Sequence, residues 1–116
     1  MNKKKFEEID NYLNAADKNL ARKELIAISQ TCQHDPDYLY LRAKLLKFDQ
    51  NIYMSIDALI ISLQIHQTEK SFNLLSELFS IIGNQEFADK LKNRDMQSDT
   101  LTKLIKFTPG IIWKKK

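Results

Sequence analysis

Glycine, proline and cysteine are scarce: the 116 residues include two glycines, two prolines and one cysteine. So few turn formers argue against a β-rich fold, which needs many tight reversals, and favour helices joined by short connections. With Cys32 as the sole cysteine, no intrachain disulfide can form, and nothing points to an oxidising compartment. His34 and His66 stand apart in turn-like stretches, and with one cysteine they offer no zinc-ligand spacing. Gly83 and Gly110 are isolated, so there is no glycine-rich phosphate loop. Long apolar runs are missing as well. The longest, Ala58 to Leu63, contains Ser62 and falls far short of the roughly 20 residues a membrane helix needs. The lysine-rich start lacks the apolar core of a signal peptide, because Glu7, Glu8 and Asp10 interrupt it. These absences read as a cytoplasmic protein without stable membrane insertion.

Reactive groups do not converge. The carboxylate pairs Glu7/Glu8 and Asp35/Asp37 read as solvent-side charges, and Cys32 at a helix end reads as a small packing residue. The expectation is a protein that is not an enzyme, with no cofactor and no metal. The net charge of +3 comes largely from Lys3 to Lys5 and Lys114 to Lys116, while the interior is close to balanced. A basic stripe on a folded face, the footprint of nucleic-acid binding, is not visible. A DNA-binding regulator would need Arg42, Lys44 and Lys47 on one face of the segment Tyr38 to Phe48, and their spacing does not place them so.

What is present is helical periodicity. The composition, 43% hydrophobic and 28% charged, is that of a soluble globular chain long enough for a single domain over 1–116. Phe6, Ile9, Leu13 and Ala16 recur at helix spacing, and Leu20, Ala21, Leu25 and Ile28 repeat the pattern after a turn at "AADKN". Pro36 ends that segment and suits the start of the next, which carries Tyr38, Leu41, Leu45 and Phe48. "DQN" breaks the stripe, and Ile52, Ile56, Leu59, Ile60 and Leu63 resume it on a helix apolar on nearly every side. Thr68 reads as an N-cap ahead of Phe72, Leu75, Leu78, Phe79 and Ile82. A short helix with Phe87, Ala88 and Leu91 comes after Gly83, and a last one carries Leu101, Leu104, Ile105 and Phe107. The expected fold is all-α: hairpins at about 3–31, 37–66 and 70–93, a C-terminal helix at about 99–107 and a tail at 108–116.

The hairpins read as repeats. A small residue early in each second helix, Ala21, Ala58 and Ala88, gives spacings of 37 and 30 positions, which bracket the roughly 34 of a tetratricopeptide repeat. Nine positions earlier stand Tyr12 and Phe79. Asp49 fills that slot in the middle hairpin, which implies a longer turn or a slipped register. Gly83 lies five residues before Ala88, where the turn within a hairpin belongs, and "DKN" and "DQN" serve that turn elsewhere. The architecture expected is a tetratricopeptide-like solenoid of three hairpins plus a C-terminal helix.

The stretches "LYLRAKLLKFDQNIYMSIDALIISL" and "LLSELFSIIGNQEFADKLKNR" resemble the central and last repeats of the tetratricopeptide-type needle-subunit chaperones of bacterial type III secretion systems. The resemblance covers roughly Asp37 to Phe107. It implies a bacterial cytoplasmic chaperone that works with a small helical co-chaperone. Together they hold the needle subunit, by its amphipathic C-terminal helix, as a monomer until export. Recognition would be of the helix-in-groove kind. The first helix of each hairpin would face the groove, which maps Phe6, Asp10 and Leu13 from the first repeat, Tyr40, Ala43 and Lys47 from the second, and Asn73, Glu77, Ser80 and Ile81 from the third. A register shifted by one would present Leu39, Arg42 and Leu46 instead. Tyr40 stands out as an aromatic off the packing stripe, either a groove residue or a plain surface tyrosine. Trp113, the only tryptophan, has three readings: it caps the last helix, contacts a partner, or lies in a disordered tail. The rival to the chaperone is a generic tetratricopeptide-like adaptor for some other peptide, unrelated to secretion.

Overall fold

The computed structural model of the protein describes residues 3–92, and all of the regular structure among them is α-helix. The expected helix at 99–107 and the tail at 108–116, Trp113 included, lie outside the described residues. The helices are α1 (Lys3–Asn14), α2 (Lys18–Cys32), α3 (Pro36–Phe48), α4 (Ile52–Ile65), α5 (Glu69–Ile81) and α6 (Gln85–Lys92). No helix among the described residues is long and apolar enough to cross a membrane.

The connections are all short, and they alternate between two kinds. Between α2 and α3, and between α4 and α5, an extended residue caps the next helix. The Asp35 side chain accepts from the Asp37 N–H at 2.9 Å and Pro36 takes the first helical position, while the Thr68 hydroxyl accepts from the Ser71 N–H at 3.3 Å. The other three connections share one backbone pattern. Ala16, Gln50 and Gly83 adopt left-handed geometry, with φ of 60°, 61° and 90°. The next residue, Asp17, Asn51 or Asn84, donates its N–H five positions back, to the carbonyl of Tyr12, Leu46 or Phe79, at 2.8, 2.8 and 2.9 Å. This is the helix-ending motif in which one left-handed residue satisfies the last free carbonyls. Ala16 therefore leaves the helical stripe and makes the turn.

From residue 16 to 50 to 83 the steps are 34 and 33 positions, so the chain repeats more regularly than its alanines suggest. In that register Ala21 matches Ser55 and Ala88, each donating its N–H to the carbonyl of the cap residue four positions earlier. Ser55, not Ala58, is the small residue of the middle hairpin, and the slot nine positions before it holds Leu46 rather than Asp49. The middle turn is neither lengthened nor slipped.

The same register aligns Ile9, Ala43 and Ser76 on the first helices, all buried. In the later hairpins this position makes a tight contact across the pair. The Ser55 hydroxyl donates to the Ala43 carbonyl at 2.7 Å, and the Ser76 hydroxyl donates to the Ala88 carbonyl at 2.6 Å. Small side chains let these helices approach until a serine on one reaches the backbone of the other.

Each helix packs on its neighbours in sequence, and α1 also packs on α3. Two clusters form the core. One joins α1, α2 and one side of α3 through Ile9, Leu13, Ala21, Leu25, Leu41 and Leu45. The other joins α3 to α6 through Ala43, Ile56, Leu59, Leu63, Leu75, Leu78 and Leu91. Burying each large aliphatic side chain contributes about 1.5–3 kcal/mol. The helix α3 belongs to both clusters, which fixes α1 and α5 on either side of it.

A candidate binding trough across the first helices

Three adjoining depressions lie along the first helices, two across α1, α3 and α5 and one between α5 and α6. The central one, of about 510 Å³, has Leu13, Tyr40, Phe48 and Leu74 as its apolar part and Asn14, Lys44, Lys47, Lys70, Asn73 and Glu77 as its polar part. A second, of about 190 Å³, shares Tyr40 and Lys70 with it and extends between α1 and α3 to Phe6 and Asp10. A third, of about 550 Å³, shares Asn73 and Glu77 and runs along α5 and α6 to Ser80, Ile81 and Lys92. Each outer depression borders the central one at these shared residues, and the three together make up the candidate trough.

Tyr40 lies where the first two depressions meet. It is half-buried, touches both core clusters, and has the Lys70 and Lys44 ammonium groups 4.8 and 5.6 Å from its ring centroid. Cations at that distance are attracted to the ring face. Burial pushes the Tyr40 phenol above its ordinary pKa, and the Asp10 and Glu77 carboxylates add to the rise. The lysines are themselves tied across the helices. Lys44 donates to Asp10 at 2.5 Å and to Asn14 at 2.9 Å, Lys70 pairs with Asp37 at 3.0 Å, and Lys47 donates to Glu77. The walls thus consist of salt links between neighbouring first helices, over an apolar strip.

Nine of the ten residues expected in a groove line this trough: Phe6, Asp10, Leu13, Tyr40, Lys47, Asn73, Glu77, Ser80 and Ile81. Ala43 does not. It is fully buried beneath α4, with its carbonyl bonded to Ser55, and no partner can reach its side chain. Lys44, one position on, takes its place. Of the shifted register, Leu39 is buried in the first cluster, so that alternative does not open onto the trough.

Lys44, Lys70, Phe48 and Asn14 also line it, and sequence reasoning misses all four as groove residues. Counting from the left-handed turn residues finds three of them. Rows at 6, 40, 73, at 10, 44, 77, at 13, 47, 80 and at 14, 48, 81 place Lys44 beside Asp10 and Glu77, and Phe48 beside Asn14 and Ile81. Phe48 and Ile81 are 42% and 52% exposed, so these rows leave large apolar side chains open to solvent. Among the described residues no three metal-ligating side chains come together. Comparison with protein-family models, curated proteins and solved structures gives no match to the chain.

Proposed function

We propose that the protein is a binding protein of tetratricopeptide-like architecture whose trough takes an amphipathic helix of a partner protein. One observation carries this reading: the first helices of all three hairpins contribute to a single trough, whose accessible apolar part is the half-buried Tyr40 and the exposed Phe48, between charged walls. A helix laid there would seat apolar side chains on the strip and place polar ones against Lys44, Lys47 and Glu77. Support for the repeat comes from the three turns at 34- and 33-residue steps, close to the 34 of tetratricopeptide repeats. Further support is that Leu46 and Phe79 stand three positions after the small residues Ala43 and Ser76, the spacing of the small-residue and tyrosine positions of that repeat, with Tyr12 at the matching place in the first hairpin.

The sequence resemblance to needle-subunit chaperones makes the occupant specific. The partner is the C-terminal helix of a type III secretion needle subunit, held as a monomer in the bacterial cytoplasm, with a small helical co-chaperone packed on the first hairpin. Covering the apolar face of that helix would stop filament growth before export. The test is co-expression of the tagged chain with a needle subunit and its co-chaperone, followed by gel filtration. A stable complex that Tyr40→Ala weakens at least tenfold is the expected result. If no needle subunit is retained but another amphipathic peptide competes at the trough, the adaptor reading replaces it.

A further inference from the structure

We propose that in the free protein the trough is occupied by the chain's own C-terminal segment, residues 93–116. This rests on the reading of the trough as a binding site, but not on the identity of any partner.

The first argument is where the described chain ends. Lys92, the last described residue, is itself part of the wall of the third depression, together with Ile81, Gln85 and Asp89. Residue 93 thus follows directly in sequence on a residue of the trough wall. The second is length. The described fold has a longest extent of 34 Å, and 24 residues span about 36 Å as a helix. The segment is long enough to run the trough from Ile81 to Tyr40.

The third argument is chemistry. Leu101, Leu104 and Ile105 fall at helix spacing, and Ile111, Ile112 and Trp113 come after them. The trough offers them exposed Phe48 and Ile81 and the half-buried Tyr40. A partner helix would then bind by displacing the segment, so its apparent affinity would fall with the fraction of molecules whose trough is filled.

Trp113 makes this testable in the intact chain with no partner present, because it is the only tryptophan. Its emission maximum and its quenching by acrylamide report whether the segment is covered. The expected result is emission blue-shifted from that of tryptophan in water, with quenching slowed several-fold. Ile81→Glu and Phe48→Glu, both at exposed positions, should each return emission and quenching toward the free values. Ile26→Glu, on the exposed side of α2 outside the trough, should leave them unchanged. Circular dichroism checks that all three variants keep their helix content. Free-tryptophan emission in the unaltered chain would overturn the proposal. So would protection that persists in both trough variants, which would put the segment elsewhere on the fold. Protection lost on dilution would also overturn it, by assigning the occupant to a second copy. A chain that passes this test but binds no needle subunit would disprove the chaperone reading alone.

Discussion

The first hairpin and the two after it share a turn but not an interface. All three reverse through one left-handed residue with the same five-back hydrogen bond. In the second and third, the residue facing the small position is Ala43 or Ser76, the helices close in, and a buried serine hydroxyl bonds the opposite backbone. In the first, Ile9 faces Ala21, and no hydroxyl is available at either place. That hairpin is tied instead from outside. Lys5 donates to Glu24 at 2.6 Å, joining α1 to α2, and Arg22 grips Asp49 through two bonds of 2.8 and 3.0 Å, joining α2 to the turn after α3. One shared backbone register can therefore carry two kinds of interface: a close one sealed by buried hydroxyls, and a wider one filled by a branched side chain and braced by surface charge.

The sharpest way to break this contrast is Ile9→Ala. If Ile9 sets the spacing of α1 and α2, its truncation leaves a cavity and costs about 2–5 kcal/mol in urea unfolding. A loss well under about 1 kcal/mol would mean the first hairpin can close as the others do. Ala43→Leu probes the other interface: a larger side chain at a fully buried contact should cost about 1–3 kcal/mol, and an unchanged midpoint would show that α3 and α4 are not close-packed there.

The shared turn comes next. Nothing lies within 4 Å of a Cβ placed on Gly83, so Gly83→Ala should cost only the left-handed backbone penalty, about 1–2 kcal/mol. Gln50→Gly should relieve the same strain in the middle turn, partly offset by the added freedom of the unfolded chain. If both changes destabilise equally, the turns are not equivalent.

Acid has the smallest expected effect, centred on the ion pairs that tie α1 and α2 to their surroundings. Hydrogen bonding to Lys5 holds the Glu24 carboxyl below its ordinary range, and hydrogen bonding to Arg22 does the same for Asp49. A carboxylate whose pKa falls on folding adds stability that is present above its unfolded pKa and lost as pH drops through the folded one. Amide exchange in α1 and α2 should therefore quicken below about pH 4, more in low salt than in high, while α4 and α5 respond less. Equal quickening throughout would remove the distinction.

Helix placement is legible because breakers and stripes agree. Pro36, "DQN", Thr68 and Gly83 sit where apolar periodicity lapses, and each becomes a cap or a turn. The repeat register is harder to read. Alanine is the natural marker of close packing, yet in the middle hairpin that role falls to Ser55, which reads as polar until its hydroxyl is seen to spend itself on a carbonyl. Counting from Ala58 shifts the register by three. Ala16 looks helical because nothing in an alanine announces a left-handed turn; only the five-back bond reveals it. In the trough, sequence reasoning selects Ala43 and passes over Lys44 for a related reason. A lysine beside an alanine looks like solvent-facing filler, whereas here it crosses to Asp10 and Asn14 on α1. Lys70 opens α5, and its approach to Tyr40 depends on how α5 sits against α3, which no local pattern encodes.

The claim that the first helices form one binding surface is tested most directly by amide hydrogen exchange on the chain alone and in complex with a needle subunit and its co-chaperone. The predicted result is slowed exchange in α1, α3 and α5 together, reduced in the Tyr40→Ala variant. Slowing confined to α2, α4 and α6, or no complex at all, would contradict it.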